Sequence, residues 1–290
     1  MIVLKGAAVS AKIQRELETE LQEMQKKNQS VPKLAIVRVG ERPDDLSYER
    51  GALKRMEKLG LSAQVYAFPQ EIADREFEQA FLKINKDSQV DGILLLRPLP
   101  KQLDEKRITE LMDPQKDLDG ICPVNIAKVF SGDETGFAPC TAEAVVEVLK
   151  ANDIEIAGRR AVVVGRSMVV GRPLSMLLLK EHATVTICHT RTKDLETTCR
   201  NAEILVAAAG KAKMVDASYV GKDAVVIDVG IHVDNNGNLC GDVDFASLEG
   251  VASMATPVPG GVGAVTTSVL AKHLVKAAKQ RRRAGQTEVY

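Results

Sequence analysis

The residues best suited to chemistry in this chain surround two glycines, Gly165 and Gly171, in VVVGRSMVVGRPLSMLL at residues 162–178. A strand pattern runs there through a glycine-rich turn into a helix pattern. Gly165 permits a tight turn, and Gly171 lets the backbone approach a phosphate closely. The helix start offers free N–H groups and a positive dipole end to a pyrophosphate. The spacing is not GxGxxG, because Ser167 holds the middle position, so the motif alone also fits a plain strand–turn–helix.

The next strand pattern, ATVTICH, is followed by TRTKD. In NAD-selective sites a carboxylate ending this strand holds the ribose hydroxyls. Here Thr190 and Arg191 come first, and no carboxylate appears before Asp194. Arg166, Arg191 and hydroxyl groups attract a 2′-phosphate, which a carboxylate would repel. The sequence therefore favours NADP over NAD, the alternative being that both arginines are ordinary surface residues. His189 is assigned no chemistry.

Strand and helix patterns alternate ahead of these residues and must position them. A continuous apolar run predicts a buried strand, and apolar residues at helical spacing predict an amphipathic helix. This βαβ order predicts parallel strands covered by helices. The predicted strands are 33–40, 63–68 and 90–100, and the predicted helices are 9–27, one beginning near Leu46, and 73–86.

A second α/β series begins at Gly158, after a loop-rich stretch from Asp113 to Thr141, where Thr141 is the predicted N-cap of a helix. Two series predict an α/β fold of two domains with a cleft between them. We expect an N-terminal catalytic domain, 1–145 with 270–290, and a Rossmann-type domain, 146–269. The later predicted elements are strands 159–165, 183–189, 202–210 and 223–230 and helices 172–181 and 262–281.

Composition excludes several classes of protein. Of the 290 residues, 45% are hydrophobic and 27% charged, with a formal net charge of zero, so nucleic acid and membrane surfaces are not expected partners. No apolar run approaches the length of a membrane span. The five cysteines form no CxxC pair, which argues against disulfides and metal sites and for a reducing, cytoplasmic compartment. The basic run Arg281–Arg283 is expected to be a solvated helix end.

Several motifs together resemble one known family. In order and spacing, the chain is similar to the methylenetetrahydrofolate dehydrogenase/cyclohydrolase family nearly from end to end, and PVPGGVG at 257–263 is the most specific match. The other matching segments are KDLDGICPVN, PCTAEAV, GRSMVVGRPLSMLL, ATVTICHTRT, DVGI with GDVDF, and TPVPGGVGAVTTSVL.

The resemblance implies a fold and an activity. Members have a catalytic domain and a Rossmann-type cofactor domain, with the last helix packing back on the first domain and folate bound in the cleft. They form homodimers through the cofactor domain. They oxidise 5,10-methylenetetrahydrofolate with NAD(P), and many then hydrolyse the methenyl product to 10-formyltetrahydrofolate.

The resemblance also implies roles for particular residues. Tyr48 matches a catalytic, substrate-binding tyrosine, and Asp119 matches an aspartate that binds the amino-pyrimidine edge of the pterin, where a carboxylate can accept two hydrogen bonds. In the PVPGGVG loop, Pro257, Gly260 and Gly261 line the folate and nicotinamide pocket. The cofactor residues carried over are Gly165, Arg166, Ser167, Gly171, Thr190, Arg191 and Ile231.

Two positions depart from the family pattern. The lysine that follows the tyrosine by one helical turn is Ala52, and a strand glutamine is Leu96. Lys54 does not substitute, because it lies about 240° round the helix from Tyr48. Arg55 follows Ala52 by three positions, but arginine is a poor proton shuttle.

The departures affect the two reactions differently. Hydride transfer mainly needs the reacting carbon held against the nicotinamide ring, whereas hydrolysis needs positioned acid–base groups. We therefore expect NADP-dependent oxidation of methylenetetrahydrofolate with weak or absent cyclohydrolase activity. Two alternatives stay open. One is the full bifunctional enzyme, and the other is an inactive paralogue that binds folate or nucleotide as a regulator.

Overall fold

The computed structural model describes residues 1–234 and 237–287, so positions 288–290 of the predicted catalytic domain lie outside it. The chain divides into two compact units. Of the described residues, 13–138 and 267–287 form the flanking unit, and 1–12, 139–234 and 237–266 form the central unit. In this division the first twelve residues group with the central unit. The expected domain limits themselves stay a prediction.

The elements follow one another in α/β order. In chain order they are β1 (Ile2–Val3), α1 (Gly6–Lys26), β2 (Lys33–Val39), α2 (Pro43–Lys58), β3 (Ser62–Phe68), α3 (Asp74–Lys86), β4 (Gly92–Leu95), α4 (Glu105–Leu111), α5 (Pro123–Ser131), α6 (Cys140–Ala151), β5 (Arg160–Val164), α7 (Gly171–Lys180), β6 (Thr184–Cys188), α8 (Leu195–Arg200), β7 (Ile204–Ala207), β8 (Val225–Asp228), β9 (His232–Val233), β10 (Leu239–Cys240), β11 (Met254–Ala255) and α9 (Gly263–Thr287).

The flanking unit contains a three-stranded parallel sheet in the order β3-β2-β4. Its central strand, β2, is buried at six of its seven positions, as expected for a strand covered on both faces. Helix α3 buries Phe77, Phe81 and Ile84 against the sheet, because spacings of three and four residues place side chains on one face. This sheet and its helices position α2 and the loop after β4.

The central unit contains a six-stranded sheet in the order β1-β11-β8-β7-β5-β6, with every neighbouring pair parallel. Residues Ile2 and Val3 pair with Met254 and Ala255, which explains why the amino terminus belongs to this unit. The order places β6 beside β5, and the carboxyl ends of such strands bind dinucleotides in doubly wound folds. The predicted two-domain α/β class is confirmed.

Some element boundaries differ from the expectations. Helix α2 begins at Pro43 rather than near Leu46, because proline fits the first helical position and Asp44 and Asp45 favour the helix amino terminus. Thr141 is not an N-cap, since α6 already begins at Cys140. Helix α5 lies inside the stretch predicted to be loop.

The basic run near the end of α9 is not simply solvated. Arg281 donates from Nη1 to the carbonyl oxygen of Val90, and Arg282 donates from Nη2 to the carbonyl oxygen of Ser30 at 2.9 Å. Asp91 lies within ion-pair distance of both guanidinium groups. The arginines therefore attach α9 to the flanking unit, and the expected solvated helix end is wrong at these two positions.

Candidate functional site

The glycine-rich turn between β5 and α7 has the shape that the sequence predicts. Gly165 has φ +136°, and a Cβ there would collide with the carbonyl oxygen of Ala208. A Cβ on Gly171 would collide with the carbonyl oxygen of Gly165. Gly171 is therefore required by close packing of the helix start on the turn, and the approach of a phosphate to it stays a prediction.

Ser167 shapes the amino terminus of α7. Its Oγ accepts hydrogen bonds from the N–H groups of Val170 at 3.1 Å and Gly171 at 3.5 Å. This satisfies donors that a helix start leaves unpaired. Arg166 and Ser167 are both exposed on the turn. The turn therefore presents an exposed cation beside the positive dipole end of α7, which suits a pyrophosphate.

Thr190 and Arg191 lie just beyond β6, and both are exposed. The sheet places this strand next to β5, because Val164 pairs with Cys188. Among the residues that the structure describes, neither Arg166 nor Arg191 has an ion-pair partner, whereas Arg159 and Arg200 do. Two unpaired guanidinium groups after neighbouring strands are a suitable site for a 2′-phosphate.

Two buried aspartates, which the sequence analysis did not single out, organise the adjoining loops. The carboxylate of Asp242 accepts hydrogen bonds from the N–H groups of Ala209, Gly210 and Lys211 at 2.6, 3.0 and 2.9 Å. Its Oδ1 also lies 2.7 Å from Nε2 of His232. The carboxylate thereby fixes the loop after β7. Asp228 lies in DVGI and Asp242 lies in GDVDF, two segments that match the family, so the sequence did contain a signal for these residues.

The second aspartate, Asp228, ends β8. Its carboxylate accepts hydrogen bonds from the N–H groups of Gly230, Asp242 and Val243 at 2.9, 3.0 and 2.9 Å. Burial raises the pKa of this carboxyl to about 6, and the three N–H groups oppose that rise. The site therefore contains a carboxyl that titrates in the mildly acidic range.

This pKa predicts how stability depends on pH. The folded pKa of Asp228 lies above the usual aspartate value of 3.8, so the stability that its protonated form contributes is present below pH 3.8 and is lost as pH rises through about 6. A shift of this size corresponds to about 3 kcal/mol. The unfolding free energy of the wild type should fall relative to that of Asp228→Asn over this window. Urea unfolding at a series of pH values measures the difference, and parallel curves would contradict the prediction.

A cavity of about 200 Å³ lies in the central unit beside these loops. The segment 228–231, Leu239 and the segment 257–264 line it. The cavity therefore brings together four residues predicted to bind folate or nicotinamide, namely Ile231, Pro257, Gly260 and Gly261.

The PVPGGVG loop is held close to its own backbone. A Cβ on Gly261 would lie 2.5 Å from the carbonyl oxygen of Pro257, and Gly260 has φ +97°. Gly6 donates its N–H to the carbonyl oxygen of Gly260 at 2.8 Å. The two glycines therefore allow a tight loop beside the cavity.

In the flanking unit, α2 carries the predicted catalytic tyrosine. Tyr48 is half-buried, and Ala52, one turn further on, is completely buried. Lys54 is exposed, as its angular position predicts. Arg55 is half-buried, its Nε has no hydrogen-bond partner in the structure, and burial lowers its pKa. The position of the family lysine is therefore an apolar, water-excluded point with a partly buried cation three residues away.

Leu96 stands directly after β4. Its side chain is 5% exposed, and its N–H donates to the carbonyl oxygen of Val37 at 2.9 Å, extending the sheet by one bond. The predicted strand 90–100 is shorter, since β4 ends at Leu95 before the Arg97–Pro98 peptide. Leu96 supplies neither a donor nor an acceptor from its side chain.

The loop that carries Asp119 is built around a second aspartate, Asp117. The carboxylate of Asp117 is buried and accepts hydrogen bonds from the N–H groups of Ile121 and Cys122 and from Nδ2 of Asn125, at 3.0, 2.9 and 2.9 Å. All of these contacts are internal to the loop and α5. Asp119 itself is half-buried. The two carboxylates of KDLDG therefore differ in environment, and Asp117 has the structural one.

Two further contacts hold this loop. Gly120 has φ +60°, and a Cβ there would collide with the carbonyl oxygen of Phe137. His273, on α9, is buried and places Nδ1 2.7 Å from the carbonyl oxygen of Leu118. Its ring packs edge-on against Phe137, with ring centroids 5.4 Å apart. The backbone next to Asp119 is therefore fixed from both sides.

Residues 1–234 and 237–287 contain neither a candidate membrane span nor a candidate metal site. No helix there is long and apolar enough to cross a membrane. No group of three or more His, Cys, Asp or Glu side chains there could hold a metal ion.

Comparison with known proteins agrees with this geometry. The catalytic-domain model of tetrahydrofolate dehydrogenase/cyclohydrolase matches residues 4–119, and the NAD(P)-binding-domain model of the same family matches residues 139–282. The chain is 53% identical over 277 residues to the "Bifunctional protein FolD" of Clostridioides difficile, covering 96% of each chain.

Solved structures give the same answer. The bifunctional methylenetetrahydrofolate dehydrogenase/cyclohydrolase of Campylobacter jejuni is 38% identical with a TM-score of 0.93, over 97% of this chain and 99% of that one. The Trypanosoma brucei enzyme, solved with NADP and an inhibitor, is 33% identical with a TM-score of 0.91, over 98% and 99%. The resemblance seen in the sequence is confirmed, and the chain belongs to the tetrahydrofolate dehydrogenase/cyclohydrolase family.

Proposed function

We propose that this protein oxidises 5,10-methylenetetrahydrofolate to 5,10-methenyltetrahydrofolate with NADP as hydride acceptor, in one-carbon metabolism. One observation carries the proposal. Two family models match the chain at 4–119 and 139–282. Arg166 and Arg191 follow neighbouring strands of a dinucleotide-type sheet, and neither guanidinium group has an ion-pair partner in the described part of the chain. The relative from Trypanosoma brucei was solved with NADP. NAD is the less favoured cofactor, because no carboxylate stands at Thr190 or Arg191 to hold a free ribose hydroxyl.

The residues have distinct roles in this proposal. The turn at Gly165, Ser167 and Gly171 binds the pyrophosphate at the start of α7. Ile231 and the PVPGGVG loop line the cavity that receives the reacting rings. NADP supplies the hydride acceptor. The protein supplies orientation, which is what hydride transfer mainly requires.

On the folate side, Asp119 accepts two N–H groups from the amino-pyrimidine edge, and Tyr48 contacts the substrate from α2. The fixed backbone around Asp119, held by Asp117 and His273, supports this role. A preformed loop binds more tightly than a mobile one, because less conformational freedom is lost on binding.

For hydrolysis of the methenyl product there are two candidates, full cyclohydrolase activity and weak activity. The names of the relatives favour the full bifunctional enzyme, since those from Clostridioides difficile and Campylobacter jejuni are both described as bifunctional. The buried Ala52 and Leu96 support the weaker activity expected from the sequence, and that expectation rests on these two positions alone. The comparisons favour the bifunctional candidate.

One experiment tests the proposal and separates these candidates. Purified protein is mixed with methylenetetrahydrofolate and either NADP or NAD, and reduced nucleotide and methenyl product are followed by absorbance. In a second arm the protein is mixed with methenyltetrahydrofolate alone. Nucleotide reduction without hydrolysis above the spontaneous rate indicates the dehydrogenase, and both reactions indicate the bifunctional enzyme. Neither reaction would leave only the inactive regulator.

Assembly and compartment belong to the same proposal. We infer a homodimer formed through the central unit, whose edge strand β6 exposes Thr184, Thr186 and Ile187. Light scattering on a sizing column tests it, and a monomer mass at micromolar concentration would contradict it.

The cysteines bear on the compartment. All five are buried, and none forms a disulfide with another, which supports a reducing cytoplasm.

A further inference from the structure

We propose that His189 is a positioning residue that sets the preference for a 2′-phosphate, because its side chain fixes the turn that presents Thr190 and Arg191. The inference rests on the proposed use of NADP and deepens it. Sequence patterning assigned His189 no chemistry. The structure gives it a specific place in a short, closed turn.

Three hydrogen bonds close this turn, residues 189–192. The N–H of Thr192 donates to the carbonyl oxygen of His189 at 2.8 Å, and the N–H of His189 donates to Oγ1 of Thr192 at 2.8 Å. The N–H of Arg191 donates to Nδ1 of His189 at 3.1 Å. Each bond involves His189 or Thr192, and Arg191 takes part only through its backbone N–H. The side chains of the two middle residues are exposed and available to a ligand.

The turn is connected directly to the phosphate-binding turn. The N–H of Gly165 donates to the carbonyl oxygen of Cys188 at 2.9 Å, immediately before His189. Both turns follow the carboxyl ends of adjacent parallel strands, β5 and β6. This hydrogen bond joins the backbones of the two segments that carry Arg166 and Arg191, so both cations start from connected backbone positions.

The imidazole acts here as an acceptor. Because Nδ1 accepts from the N–H of Arg191, the neutral ring carries its proton on Nε2. The pattern, a side chain accepting from the N–H two residues further on, is the one that asparagine makes in an Asx-turn. Asparagine should therefore replace His189 in this role, and leucine, which has no acceptor, should not.

The experiment measures binding of 2′,5′-ADP and 5′-AMP by calorimetry, because these two probes differ only in the 2′-phosphate. The dissociation constant of 5′-AMP divided by that of 2′,5′-ADP measures the preference for the 2′-phosphate. In His189→Leu this ratio should fall about tenfold, the size of one weakened charge-assisted contact. His189→Asn should keep the wild-type ratio within about twofold. Arg191→Ala marks the effect of losing the cation itself. The exposed His182 provides a control, since His182→Asn should leave the ratio unchanged.

An unchanged ratio in His189→Leu, or an equal loss in His189→Asn, would overturn the inference. If His189→Leu does not fold, Thr192→Val decides, because it removes the acceptor for the N–H of His189 from the same turn. Its ratio should also fall, and an unchanged ratio would overturn the inference. The probes contain no nicotinamide or folate. A wild type that binds them as expected but reduces no NADP would therefore contradict the proposed function and leave this inference standing.

Discussion

Replacing Asp119 by asparagine is expected to lower kcat/KM for methylenetetrahydrofolate about a hundredfold, with the KM for NADP unchanged. The amide keeps the shape of the carboxylate but offers one acceptor and one donor, so one of the two N–H groups of the pterin edge would face another donor. Hydrogen bonds to a charged group contribute about 1.5–3 kcal/mol each, which corresponds to this loss. Steady-state kinetics with each substrate varied in turn measure the effect.

The matched control is Asp133→Asn, which neutralises an exposed carboxylate in the same unit whose Oδ1 accepts the N–H of Thr135. It should leave both constants near their wild-type values. A loss in Asp119→Asn that affected NADP as strongly as folate would contradict the assignment of Asp119 to the pterin, because that pattern indicates a general loss of structure.

The double substitution Ala52→Lys with Leu96→Gln is expected to raise methenyltetrahydrofolate hydrolysis about a hundredfold, the usual contribution of a positioned acid–base group. The new lysine would lie one turn from Tyr48, at a position that is now completely buried. Burial and the nearby Arg55 both disfavour the charged ammonium form and so lower its pKa towards neutrality. The decay of methenyl absorbance, corrected for the spontaneous rate, measures hydrolysis.

Lys54→Ala is the control for this pair, because Lys54 is exposed on another face of α2 and its loss should not change either reaction. A wild type that already hydrolyses the methenyl product as fast as it forms would contradict the residue-based expectation. The bifunctional description of the relatives would then apply to this chain, with groups other than Lys and Gln performing the proton transfers.

Local patterns were enough to predict most of the fold. Continuous apolar runs identified β2 and β5, and helical spacing identified α3 and α7, because these segments are long and their burial follows their own sequence. Strands β1 and β11 have only two residues each, too few for any periodicity. Their pairing links residues about 250 positions apart and depends on tertiary contacts that no local pattern contains.

The candidate site was predictable where a residue is required by the local backbone of its own motif. Gly165 is required by its own positive φ and by the collision a side chain would make, and a glycine between a strand and a helix is a visible signal. Asp228 and Asp242 were missed because their partners are backbone N–H groups up to 33 residues away. The closed turn of His189 was missed because a histidine that accepts a local hydrogen bond has no distinctive neighbours in sequence.

The central claim, NADP-linked oxidation of methylenetetrahydrofolate, is tested most directly by a nucleotide and folate balance on the purified protein. The protein is mixed anaerobically with methylenetetrahydrofolate and NADP, and in parallel with NAD. NADPH is compared at each time with the sum of methenyl- and 10-formyltetrahydrofolate. We predict one NADPH per folate oxidised and a faster reaction with NADP than with NAD. No reduction of either nucleotide, in protein that binds both ligands, would contradict the account.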